Sequence, residues 1–489
     1  MADHALTRWL FLRALGAVAT VAFASFAVQA DGLIGARGVL PYQPWLEAVG
    51  QQLGEEAFGR APTLLWWAPG ALDGVVWVGL LASLLIAVGV PFEGPLLLIA
   101  WACYLSVSTV AQVFLGFQWD TLLTETLFTA LFVARWGPWS PAEPSRVGVW
   151  LLRLLLVKLM ALAGAVKLAS GDPSWWDGTA MGYHYETQPL PNPLSWYAHH
   201  LPLLWHRAET WGAVAIELLL PFAVFLGPWG RRAGAVGFAV VMVGLMVTGN
   251  YGFFQLLTLA LCLTWIDDAD WRRLLPGALV RFAEGGPPPD DRIGAARDAV
   301  FAAFAVAMVG AGALQGAWRL GYEPPVPGAV VELVGAARPF RTVNAYGLFA
   351  TMTKRRPEIR IEVSVDGRDW VEWPLPYKPG PLDRMPPQVA PHMPRLDWQL
   401  WFAALSSCRR NPWVTNLLVR LAEGAPEVEA LMGPYPLDDR PRFVRAQVVE
   451  YTFSEPGSPE ARAGQWWVVG EARPYCPTVR APAKATRPR

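Results

Sequence analysis

Apolar residues fall into long uninterrupted runs over the first two thirds of the chain and into short alternating ones after that. Nine runs are expected as helices crossing a hydrocarbon core about 30 Å thick, several of them short for that task. They are residues 9–29, 75–90, 95–114, 122–133, 147–168, 211–226, 233–248, 253–266 and 300–320. The first exceeds a usual signal-peptide core, yet Ala27-Val28-Gln29-Ala30 resembles a cleavage site. A retained helix is favoured and a cleaved leader is the alternative. Gly249-Asn250-Tyr251-Gly252 divides one overlong run, because two glycines about an Asn read as a tight turn.

From Gly321 the period changes. Ile359, Ile361, Val363 and Val365 alternate with polar residues, and Asp366-Gly367 supplies a hairpin turn before Trp370 and Trp373. Asn411-Pro412 reads as the cap and first position of a helix carrying Trp413, Leu417, Leu418 and Leu421, with Gly424 as its stop. Residues 443–453 and 465–469 return to β-branched and aromatic types. The expected fold is a multi-span α-helical membrane bundle of about nine helices over residues 1–320, with large outer loops at 30–74 and 170–210. A soluble, strand-rich α+β domain over 321–478 and a disordered tail over 479–489 complete it.

Composition agrees with a membrane protein. The 489 residues are 53% hydrophobic and 16% charged, against about a quarter charged in soluble domains. Forty basic residues balance forty acidic ones, which argues against a nucleic-acid partner. Arginines decide the orientation. One alternate set of connections carries Arg8, Arg135, Arg146, Arg231, Arg232, Arg272, Arg273, Arg281 and Arg292, whereas the other carries Arg37, Arg60 and Arg207. The first set is expected in the cytoplasm. The large loops and the C-terminal domain then face the periplasm, or a lumen. On that oxidising side a Cys408–Cys476 disulfide is a candidate, while Cys103 and Cys262 lie within spans.

Charges inside spans point to chemistry. Arg153, Lys158 and Lys167 lie in one run, and Glu125 and Glu217 enter others near the depth of Lys167. Glu125, Glu217 and Lys167 are expected to share one cavity. Bundle-stabilising ion pairs are the first reading, and Lys167 as a burial-activated base is the alternative. The loop after Lys167 is dense in polar and aromatic residues: Asp172, Trp175, Trp176, His184, Tyr185, Glu186, Gln188, His199 and His200. It is read as an interfacial cap, with a substrate or client surface as the alternative. Adjacent histidines diverge in extended chain and there is no H-x-x-x-H pairing, so no metal is expected. No G-x-S-x-G, P-loop or G-x-G-x-x-G context implies a cofactor.

Several strings resemble the lipase maturation factor family: Gly32-Leu33-Ile34-Gly35 with Gly38-Val39-Leu40-Pro41, Val166 to Pro173, His184 to Pro191, Gly249 to Phe254, and Pro394-Arg395-Leu396-Asp397-Trp398-Gln399. The resemblance covers nearly the whole chain. It implies a multi-pass membrane protein, in animals an endoplasmic-reticulum factor for folding and assembly of secreted lipases, with the client met by the luminal C-terminal domain. An Ala/Arg/Pro/Gly-rich chain suggests a GC-rich bacterial genome, hence an inner-membrane location and a different client. Membrane lipid and secreted clients are the implied partners, and oligomeric state stays open. Trp398, Trp401 and Trp413 are candidates for a client surface, although Trp at helical spacing is more often core. Gly164-Ala165-Val166-Lys167-Leu168 and Trp176 to Met181 bear a weaker resemblance to vitamin K-dependent γ-carboxylase and related membrane domains. That resemblance implies a catalytic base at Lys167, although the carboxylase has two adjacent lysines there.

Overall fold

A computed structural model describes residues 4–141, 143–285 and 291–481. Helix α1 (Ala5–Ala27) turns one side into the bundle, with Phe11, Leu12, Leu15, Phe23 and Phe26 fully buried, and leaves Ala17 and Ala24 exposed. It crosses α2 (Leu72–Val88) so closely that a Cβ on Gly16 would lie 2.5 Å from the Ala87 amide nitrogen, a small-residue contact of the kind that lets membrane helices approach. At its start, the amides of Leu6 and Thr7 donate to the Asp268 carboxylate, each at 2.9 Å. A carboxylate there satisfies orphan N–H groups and complements the helix dipole.

The bundle continues through α3 (Glu93–Val110), α4 (Gln118–Ala130) and α5 (Arg146–Ala169). Next come α6 (Leu203–Leu219), prolonged by the 3-10 turn Leu220–Phe225, then α7 (Gly227–Thr248), α8 (Phe254–Leu263) and α9 (Asp291–Arg319). Among the described residues six helices are long and apolar enough to cross a membrane: α1, α3, α5, α6 with its extension, α7 and α9. The chain is a multi-pass membrane protein. The nine expected crossings thus reduce to six full-length ones, with α2 and α8 apolar but shorter. At 13 residues, α4 spans only about 20 Å and carries the buried carboxylates Asp120 and Glu125.

Beyond α9, the ten-residue apolar helix Gly328–Ala337 leaves Val330, Val331 and Leu333 exposed. An antiparallel sheet follows in the order β2-β1-β3, built from β1 (Arg356–Ser364), β2 (Val371–Glu372) and β3 (Phe443–Phe453). The expected Asp366-Gly367 turn joins β1 to β2, with Gly367 at φ +80°. The free edge of β3 is shared by β4 (Trp467–Val469) and β5 (Arg473–Arg480). Register pairs Ile359 with Val448 and Val363 with Val444, and Ile359, Val363 and Val444 are buried beneath α10 (Arg395–Ala404) and α11 (Pro412–Glu423).

Helix α11 begins at Pro412 and ends at Gly424, φ +67°, as the spacing implies. Asn411, however, does not cap it: its amide donates instead to Ser406 Oγ, Ser407 O and the Tyr475 hydroxyl, tying the turn to β5. Cys408 and Cys476 form a disulfide across the same junction, Cα to Cα 5.4 Å. Strand β5 continues to Arg480, past the point where a disordered tail is expected, and residues 482–489 of that tail lie outside the described residues.

Candidate functional site

The strings scattered along the sequence converge on one seam, between the outer loops of the bundle and the strand-containing domain. At its centre, Arg395 donates from Nη1 to Asp120 Oδ2 at 2.6 Å and from Nη2 to Oδ1 at 2.8 Å, with both side chains fully buried. The Tyr104 hydroxyl adds a third bond to Asp120 at 2.7 Å. Bidentate guanidinium–carboxylate pairing fixes orientation as well as distance. The end of α1 joins the same seam. Gln29 accepts from the Arg395 amide at 2.7 Å and donates to Met393 O at 2.9 Å, while Ser25 Oγ accepts from the Met393 amide at 2.9 Å. A cut after Ala30 would remove both residues.

Gly249-Asn250-Tyr251-Gly252 separates α7 from α8, with extended backbone at Gly249 and the turn itself over Tyr251–Phe254, and is also a connector. Asn250 Nδ2 donates to Pro191 O at 3.1 Å and Pro387 O at 2.9 Å, and its Oδ1 accepts from the amides of Val389 and Ala390 at 2.7 and 2.9 Å. One side chain thus joins α7, the outer loop and the C-terminal domain. A Cβ on Gly249 would stand 2.0 Å from Gln188 Oε1, which explains the glycine. The Tyr251 hydroxyl donates to Gln188 Oε1 at 3.0 Å and lies 3.1 Å from His184 Nε2. Its single proton is used on Gln188, so His184 supplies the N–H of that contact. Burial first, then the charge of Lys167, pushes the His184 imidazole down to about 4.

Arg356, at the start of β1, is fully buried and reaches into the loop. Its guanidinium donates to the carbonyls of Glu186 (2.7 Å), Gln188 and Pro189 (2.8 Å) and pairs with Glu358 at 2.7 Å, and Lys378 closes on the other oxygen of Glu358. Glu186 accepts from the Phe453 amide at 2.9 Å and stands 3.7 Å from His199 Nε2, while burial raises its carboxyl. Burial and the neighbouring His200 and His206 push His199 down to about 4. His200 turns away, its Nδ1 2.7 Å from Trp196 O. The His199 and His200 rings lie edge to face, centroids 4.9 Å apart.

Asp172 caps the short helix Pro173–Trp176 and accepts from the Met352 amide at 2.6 Å. Burial alone would raise its carboxyl, but the Ser174 and Met352 amides hold it below the usual range. Trp175 is buried, with its indole donating to Phe349 O at 3.1 Å, whereas Trp176 is exposed. Tyr185 donates to Glu209 at 3.0 Å. Asp397 is buried and accepts from the amides of Tyr377 and Lys378, both at 3.0 Å; burial outweighs these bonds and pushes its carboxyl up to about 6.

One expectation is corrected here. Glu125, Glu217 and Lys167 do not share one cavity: Lys167 pairs with Glu217, and Glu125 pairs with Lys158. Glu125 also accepts from the Asn344 amide (2.9 Å), Asn344 Nδ2 (3.0 Å) and the Tyr346 hydroxyl (2.5 Å). Residues after the bundle thread back into it and claim that carboxylate. Each pair borders its own cavity of about 340 Å³, one between α5, α6 and α7, the other between α5 and α9. Trp398, Trp401 and Trp413, the candidates for a client surface, are all buried. Trp398 stacks edge-on against Trp119, ring centroids 4.8 Å apart, and Trp401 donates to Thr187 O at 3.0 Å, so both are seam residues.

Sequence reasoning passed over Asp120, Arg356 and Arg395. Asp120 stands two residues before the run that holds Glu125, and Arg395 stands two residues from Asp397. Arg356 opens a strand, where a charge gives no signal of its burial.

Residues 6–273 match the lipase maturation factor transmembrane domain and residues 342–477 the lipase maturation factor C-terminal domain. Human lipase maturation factor 2 is 34% identical, covering 98% of this chain and 83% of its own length. The lipase maturation factor 1 proteins of mouse and cattle are each 33% identical and cover 97% of this chain, with 87% and 89% of their own lengths matched. No solved structure matches. These comparisons give no support to the γ-carboxylase-like alternative. With both domains matched in order and relatives aligned almost end to end, the chain belongs to the lipase maturation factor family.

Proposed function

We propose that this protein is a maturation factor held in a bacterial inner membrane, and that its C-terminal domain assists folding and assembly of exported, lipase-type proteins on the periplasmic side. One observation carries the reading. The C-terminal domain is bolted to the same loops that are poor in arginine: Arg356 to the carbonyls of residues 186–189, Arg395 to Gln29, and Arg420 Nε to Gly38 O at 3.2 Å. By the positive-inside rule those loops face away from the cytoplasm. The Cys408–Cys476 pair supports the same side, since disulfides persist in oxidising compartments. The names of the relatives supply the client class.

The test is secretion in the native host. A strain lacking the protein is expected to release less active lipase into the periplasm or medium. The full-length chain restores it, and a chain ending before residue 342 inserts but does not. Full recovery with the shortened chain would overturn the role given to the C-terminal domain.

A further inference from the structure

We propose that the cavity between α5, α6 and α7 binds an uncharged, carbonyl-bearing lipid with a single acyl chain, of the monoacylglycerol class, entering sideways from the bilayer. This stands independently of the maturation reading. At about 340 Å³ the space is at the low end of the roughly 300–1,000 Å³ range of small-molecule sites, enough for one chain and too little for a whole two-chain lipid. Its mouth lies on the outer surface of the bundle, where Gly244 and Val240 are exposed and Gly212 is half-buried. Behind the mouth the walls are apolar, made by residues such as Leu159, Ile216 and Leu245.

The inner end is polar in a particular way. Gln255 is 1% exposed, yet its Nε2 meets no acceptor among the described residues. Gln118 Oε1 is occupied by the Gly347 amide at 2.7 Å, while its Nε2 is likewise without an acceptor. Two amide donors therefore line an apolar cavity, and buried donors are normally satisfied. The ligand that answers them offers carbonyl or hydroxyl oxygens. Fixed charge selects against an anion: Lys167 is committed to Glu217, and the Glu209 carboxylate lines the same space. A fatty acid or a phosphate headgroup would bring negative charge to a site with no uncommitted cation.

The experiment uses the full-length chain in phosphatidylcholine nanodiscs and a monoacylglycerol with a diazirine in its acyl chain. Labelled peptides are expected from α6 and α7, and unlabelled monoacylglycerol competes. Gly212→Trp with Gly244→Trp blocks the mouth and abolishes the labelling; a Cβ at either position meets nothing within 4 Å, so the bundle accommodates the change. Gln255→Leu, which leaves the mouth open, weakens competition about fivefold, the loss of one neutral hydrogen bond. Labelling that survives the double Trp variant, or competition unchanged by Gln255→Leu, overturns the proposal. So does equal labelling of these peptides by diazirine-bearing fatty acid or phosphatidylcholine.

Discussion

Arg395 of the C-terminal domain and Asp120 of α4 form a fully buried, doubly hydrogen-bonded pair, 2.6 and 2.8 Å, across the seam between the two regions. Such a pair gains little over a well-packed apolar substitute, because desolvating both ions costs about what their attraction returns, but breaking it from one side strands a charge and costs about 3–5 kcal/mol. Arg395→Ala and Asp120→Ala are each expected to destabilise the protein by that amount. Arg395→Met combined with Asp120→Leu should recover most of the loss. Thermal unfolding of the purified protein, with limited proteolysis of the released C-terminal domain, measures both.

Acidification should act through His184 and Asp397 with opposite signs. His184 is held neutral by burial, its imidazole down to about 4, against about 6.5 in the unfolded chain. Between these values the unfolded state binds more protons, so its contribution is complete above pH 6.5 and is lost as pH falls towards 4. Asp397 is raised to about 6, so its folded form binds the proton first. That contribution is complete below about 4 and is lost as pH rises through 6. Melting temperature measured from pH 4 to 7 should therefore rise less steeply in His184→Gln than in the parent. It should rise more steeply in Asp397→Asn, which keeps an acceptor for the amides of Tyr377 and Lys378.

The disulfide supplies a test of sidedness as well as stability. Cys408 and Cys476 close a loop of 68 residues, for which chain entropy gives about 4 kcal/mol of stabilisation. Double replacement by Ser is expected to cost about that much. Alkylation of the denatured, unreduced protein from its native membrane should modify two thiols, Cys103 and Cys262, and four after reduction. Four modified thiols without reduction would contradict the outward placement of the domain.

What could be read from the sequence depended on range. The Asp366-Gly367 hairpin, the break between α7 and α8 at Gly249–Gly252 and the Pro412 to Gly424 helix follow from local backbone preferences, and all three are present. Asn411 shows the limit of such reasoning. The residue type is right for a cap, but competing partners on β5 take its amide. Partner choice between Lys158, Lys167, Glu125 and Glu217 was not legible, because depth along a helix does not reveal which faces meet. Residues 344–346, more than two hundred positions away, decide the fate of Glu125. The strings pointed to a family without showing that they meet at one seam.

Lys167 and Glu217 bear most directly on whether the bundle performs chemistry. Each side chain is only 7% exposed, the ammonium lies 5.1 Å from the centre of the Trp175 ring, and the carboxylate is its ion partner. Removal of the amine alone strands Glu217. Lys167→Met is thus expected to lose about 3–5 kcal/mol and, with it, accumulation of the protein in the membrane. The discriminating variant replaces both partners, Lys167→Met with Glu217→Leu, which removes the amine without leaving a lone charge. If the pair is structural, this double variant melts within about 1–2 kcal/mol of the parent and supports lipase secretion to the same level. A double variant that is as stable as the parent and inserted but inactive would show that the Lys167–Glu217 pair does more than hold the bundle together.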